Sequence, residues 1–130
     1  MTHVPAFNAS LEAVAERCDD VVPPVYAALF KRFPQFEELF VLDIDHGARG
    51  HMLNEALTMA EGLLQDDPVA LSFVSAERMN HEGYGIDDEV FEGFYQVMAD
   101  VFQSLAADTW TDAMSAAWAE VAKSAAKAKL

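Results

Sequence analysis

Apolar residues recur at intervals of three and four along most of the chain, and no stretch shows the strict alternation of a half-buried strand. The clearest stretch runs from about Ala48 to Gln65. At 100° per residue, Met52, Leu53, Ala56, Leu57, Met59, Ala60, Leu63 and Leu64 fill one half of a helical wheel. His51, Asn54, Glu55, Thr58, Glu61 and Gln65 fill the other half. Ahead of it, Asn8 or Ser10 is placed to cap a short first helix reaching about Cys18, with Leu11, Val14, Ala15 and Cys18 on one face. A second helix starts at Asp19 or Asp20, takes Pro23 and Pro24 in its first turn, and runs to about Phe33. Its apolar side is Val22, Val25, Tyr26, Leu29, Phe30 and Phe33. Pro34 opens a short helical turn over Gln35 to Leu39, ending at Phe40, and Asp43 to Gly47 reads as a polar loop. Beyond the long helix, Asp67-Pro68 restarts the chain into a helix ending near Glu82. Asp87 or Asp88 caps another, through about Ala106, with Val90, Phe91, Phe94, Val97, Met98, Val101, Phe102 and Leu105 inward. Thr109 or Thr111 caps the last, with Met114, Ala117, Trp118 and Val121 inward. The pattern predicts one all-α domain over residues 1–130, built from six or seven helices.

The chain has 130 residues, of which 52% are apolar, enough for a real core. Eight Lys and Arg face 22 Asp and Glu, giving a formal charge of −14. That charge argues against nucleic acid and anionic membrane surfaces as partners, because both repel such a field. Cys18 is alone and cannot close an internal disulfide, which fits a reducing compartment. No apolar run approaches the ~20 residues of a membrane span, and the first residues do not read as a signal peptide. The expected setting is therefore cytoplasmic. Phosphate-loop, Cys-x-x-Cys and Gly-x-Ser-x-Gly motifs are all missing.

Candidate chemistry gathers in Met79-Asn80-His81-Glu82-Gly83-Tyr84-Gly85-Ile86. A neutral imidazole at a helix end can coordinate a metal through one ring nitrogen. A tight corner follows, where Gly85 is expected to take a positive φ.

Three segments in order carry a resemblance that spans about Val25 to Val121. They are Tyr26-Ala27-Ala28-Leu29-Phe30-Lys31-Arg32-Phe33-Pro34 with Glu38-Leu39-Phe40, then His81 with Gly85 and Ile86, then Asp112-Ala113-Met114-Ser115-Ala116-Ala117-Trp118. Together they resemble the globin family, of the bacterial single-domain kind related to flavohaemoglobin globin domains. The resemblance implies a globin-like fold with haem b between the long helix and the helix ending at His81. His81 would be the axial iron ligand, Phe40 would lie against the porphyrin, and Tyr26 would offer its hydroxyl to the opposite face. The residue over the iron would be Met52 with Ala56 one turn on, or Glu55 with Met59 one turn on. His51 reads as solvent or haem edge, and His46 as further still from iron. Arg78 and Arg49 are the expected partners of the haem propionates, while Tyr84 and Ile86 in the corner complete the haem-contacting set. Glu77 stands where globins usually have an apolar residue; it is either exposed or a partner for the non-ligating nitrogen of His81. Ala122 stands where flavohaemoglobin-like globins place a tyrosine. The implied function is reversible binding of a diatomic gas, oxygen or nitric oxide. The alternatives are nitric oxide dioxygenation with a separate reductase, since nothing here binds flavin or nicotinamide, and a sensor or structural module without haem. The oligomeric state is left open.

Overall fold

Short polar side chains set most of the helix starts. Asp67 accepts a hydrogen bond from the Val69 amide (3.0 Å) just ahead of Pro68, Asp87 accepts one from Val90 (3.1 Å), and Thr111 accepts one from Met114 (3.2 Å). Each such cap stabilises a helix end by about 1 kcal/mol. The computed structural model describes residues 3–40, 42–44 and 47–128. Among them are α1 (Val4–Ala15), α2 (Val22–Arg32), a 3-10 segment (Pro34–Phe40), α3 (Gly47–Leu64), α4 (Pro68–Gly83), α5 (Asp88–Ala106), a 3-10 turn (Ala107–Thr109) and α6 (Asp112–Lys127). His46 and part of the loop before α3 lie outside the described residues.

The all-α expectation holds, and the later helices begin within a residue or so of their expected caps. The first helix differs. It begins at Val4, with Pro5 in its first turn, so Asn8 and Ser10 sit inside it rather than ahead of it. Ser10 instead turns its hydroxyl back to the Phe7 carbonyl (2.6 Å) and accepts a hydrogen bond from the Trp118 indole N–H (2.9 Å). A serine that can bond within its own helix need not cap it.

Trp118 is the centre of the core. Its ring packs against Phe7 of α1 (5.0 Å between centroids) and edge-on to Phe102 of α5 (5.4 Å). Thus α6 is packed against α1, α3 and α5, while α2 lies on α5 and α4 lies on α3. Two glycines permit the close crossings. A Cβ on Gly62 would stand 2.6 Å from the Ala70 Cβ, so α3 and α4 meet almost backbone to backbone. A Cβ on Gly93 would stand 3.1 Å from the Phe33 ring, where α5 meets the end of α2. The result leaves α3, α4, α5 and α2 arranged around a shared interior cleft.

Candidate functional site

His81 stands in the last turn of α4, and the corner after it is built from backbone hydrogen bonds. The Tyr84 and Ile86 amides both donate to the His81 carbonyl (3.0 Å each), and Gly85 donates to Glu82 (3.0 Å). Gly85 takes φ +84°, the left-handed conformation expected for it. That corner ends α4 and sends Ile86 back toward the interior.

The orientation of the imidazole follows from its own helix. His81 Nδ1 lies 2.7 Å from the Glu77 carbonyl oxygen, one turn earlier, so Nδ1 carries the proton and donates. Nε2 is thereby left with its lone pair. The Glu77 carboxylate is further away, at 3.9 Å from the same Nδ1. Of the two roles open to Glu77, the backbone therefore makes the hydrogen bond and the carboxylate adds only a nearby negative charge. Phe91 of α5 holds the other side of the ring edge-on, at 5.2 Å between centroids.

Three cavities adjoin here, and His81 borders the first two. The first, about 290 Å³, lies between α3 and α4 and is bordered by His51, Met52, Glu55, Ala56, Met59, Phe73, Glu77 and His81, with Phe91, Phe94 and Tyr95 behind. The second, about 60 Å³, brings Tyr26, Phe40, Met52 and His81 to one space with Ile86, Phe91 and Phe94. The third, about 500 Å³, opens outward past Leu39, Phe40, Leu42, Ala48, Tyr84 and Ile86. Met52 borders all three. Both alternatives for the distal wall, Met52 with Ala56 and Glu55 with Met59, thus face the same first cavity. His51 is at its rim, with 75% of its side chain exposed and Nε2 4.0 Å from Glu55 Oε1.

Tyr26 is 2% exposed, its ring packed against Phe30 (5.8 Å), Phe40 (5.5 Å) and Phe94 (5.8 Å). Its hydroxyl has no hydrogen-bond partner among the described residues. Burial holds the phenol proton far above its ordinary range; the Arg49 charge pulls the other way and Asp43 adds to the rise. A buried unpaired hydroxyl costs about 1–3 kcal/mol, so a ligand that accepts from it would recover that energy.

The two expected propionate partners are turned inward. Arg78 is 5% exposed and its guanidinium donates to Asp88 (3.0 Å), Glu92 (3.0 Å) and the carbonyls of Ala128 (3.2 Å) and Ala125. It also lies over the Phe91 ring at 5.0 Å. The Arg78 fork ties α4 and α5 to the last turn of α6 and borders none of the three cavities. Arg49 donates to the Phe40 carbonyl (3.2 Å), pairs with Asp43 (3.4 Å) and lies over the rings of Phe30 and Phe40. Tyr84 is 76% exposed at the outer mouth, and Ile86 lies deeper, between the second and third cavities. Ala122 lines a separate groove between α5 and α6.

Phe91, Phe94, Tyr95 and Phe73 border the cavities without having been singled out. The pattern placed Phe91 and Phe94 inward, but an inward aromatic looks the same in sequence whether it faces the core or a cavity.

A family model described as Globin matches residues 24–128. Neither the curated proteins nor the solved structures yield a match.

Proposed function

The chain belongs to the globin family, and from that premise we propose that it is a haem protein that reversibly binds a diatomic gas, oxygen or nitric oxide. The observation that carries this reading is the pairing of two unfinished groups on one cavity: His81, whose Nε2 lone pair is left to coordinate, and Tyr26, whose buried hydroxyl lacks an acceptor. The residues present fit haem b. His81 would ligate the iron, Phe40, Met52, Ala56, Met59 and Ile86 would supply apolar contact to the macrocycle, and Tyr84 would close the outer edge. When bound, haem supplies a ferrous iron that takes a gas molecule without consuming it. The chain supplies the rest. The Glu77 carbonyl fixes the imidazole tautomer, and the Phe91 edge keeps the ring from rotating. The apolar walls keep water scarce around the pocket. Tyr26 offers one hydrogen bond to whichever diatomic carries partial negative charge, which favours oxygen over carbon monoxide.

Tyr26, Phe40 and the His81 corner also support the narrower kinship with bacterial single-domain globins. Cys18, without a second cysteine to pair with, supports a cytoplasmic setting, and the −14 charge supports a protein that avoids nucleic acid and anionic membranes. Among the described residues no helix is long and apolar enough to cross a membrane.

Replacing His81 with glycine tests the reading. The expected outcome is loss of the Soret band in the purified protein and its return on adding free imidazole, which can fill the space left by the side chain. A His81→Gly protein that keeps haem with an unchanged spectrum would remove His81 as the ligand.

A further inference from the structure

The three cavities meet solvent at two places. The first cavity opens past His51, Glu55 and Glu77; both carboxylate side chains are 38% exposed. The third opens past apolar side chains and Tyr84, with Asp43 as its acid, and Asp43 is held by Arg49 and by the Ala48 and Arg49 amides. Among the described residues no Lys or Arg borders any of the three cavities. The two arginines nearest in sequence are held by other groups, Arg78 by Asp88 and Glu92, and Arg49 by the Phe40 carbonyl and its ion pair with Asp43, with Arg49 Nε lacking a hydrogen-bond partner among the described residues. His51, the remaining basic group, has Glu55 as its nearest acid. The formal charge of −14 adds a long-range field of the same sign.

We infer that this cleft holds a metalloporphyrin through its apolar faces and its iron ligand while repelling its carboxylates, with Glu55 and Glu77 as the residues that set this selectivity. The inference rests on the haem reading above. Propionates leaving past Glu55 and Glu77 would bring two negative charges to a mouth already carrying two, whereas an esterified porphyrin brings none. Like charges roughly 8–10 Å apart near a surface weaken binding by about three- to tenfold at low salt, and less once the Debye length shrinks below that separation. The sign of the salt effect is therefore diagnostic. Where cations clamp the propionates, added salt weakens binding; where acids repel them, added salt strengthens it.

The test titrates haem-free protein with ferric protoporphyrin IX and with its dimethyl ester, each at about 10 mM and 150 mM ionic strength, where the Debye length is roughly 30 and 8 Å. The ester should bind at least as tightly as the diacid. Diacid affinity should rise with salt while ester affinity stays level. Glu55→Gln with Glu77→Gln should raise diacid affinity about three- to tenfold more than ester affinity at low salt, so the ratio of the two affinities is the readout. Both sites are partly exposed, so the double variant should fold, which far-ultraviolet circular dichroism checks. Tenfold tighter binding of the diacid, or binding that weakens with salt, would overturn the inference while leaving the haem reading intact. If neither porphyrin gives a Soret band, the haem reading itself fails, and this inference with it.

Discussion

Tyr26 keeps two kinds of company. Its ring is packed among Phe30, Phe40 and Phe94, and its hydroxyl has no acceptor. Tyr26→Phe should therefore act in opposite directions on two measurements. In haem-free protein it removes an unpaired hydroxyl and keeps the ring, so the denaturant midpoint should stay level or rise. In haem-loaded protein it removes one hydrogen bond to a partly charged ligand, about 1.5–3 kcal/mol, which corresponds to roughly ten- to a hundredfold faster oxygen release. Stopped-flow release of oxygen and carbon monoxide checks this, and equal small changes for both gases would make Tyr26 only a core residue. The buried phenols also set a pH dependence. Burial pushes Tyr95 up to about 12, against a partial pull from Arg78, and Tyr26 is raised as well. Unfolded tyrosine titrates near 10, so above that pH the unfolded chain loses protons that the folded chain keeps. Stability should be constant in this respect below about pH 10 and fall as pH rises further. Denaturant midpoints at pH 8, 10 and 11.5 measure the fall, and Tyr26→Phe with Tyr95→Phe should flatten it. Tyr26 and His81 were both legible as residues, Tyr26 from the apolar stripe of its helix and His81 from its place at a helix end before a glycine corner. Tyr26's missing partner was not, since an absent acceptor is a property of the surrounding helices.

Among elements, α4 shows what local pattern can and cannot give. Its start at Asp67-Pro68 and its end at the Gly85 corner follow from capping and backbone chemistry, which short stretches of sequence encode. Its distance from α3 does not, because that depends on Gly62 meeting Ala70 across the crossing. Three glycines separate these effects. Gly62→Val forces a Cβ toward Ala70 and should destabilise by about 1–3 kcal/mol, lowering haem affinity too because α4 carries His81. Gly83→Ala meets open space in a helix turn and should stabilise by about 0.5–1 kcal/mol. Gly85→Ala also meets open space, yet should destabilise by about 1 kcal/mol because of its φ. Denaturant unfolding of the three variants checks the order. The first helix was misplaced for a related reason: Ser10 is a good cap in isolation, and only the arrival of Trp118 from 108 residues away makes it an interior residue.

For the whole molecule, the least legible feature was the fate of its few cations. The resemblance set Arg78 beside the haem propionates, and the fold buries it between two acids and the end of α6. Arg78→Met keeps the length of the side chain and removes the charge, leaving Asp88 and Glu92 beside each other and two carbonyls without their donor. Full burial of such a pair would make the loss about 3–5 kcal/mol; both acids are partly exposed, so roughly 2–4 kcal/mol is expected. Chemical denaturation at pH 7 checks it, and a loss under about 1 kcal/mol would mean the network is idle, like a typical surface pair. The helix that presents His81 is thus fastened by two unlike chemistries, close apolar contact at its first turns and a charged fork near its last. Removing the Arg78 charge weakens only the second. Transient opening of α4 therefore has a grain: in Arg78→Met, amide hydrogens around His81 should begin to exchange with solvent while those around Ala70 stay protected, so the helix peels from the ligand end and keeps its hinge at the glycine crossing.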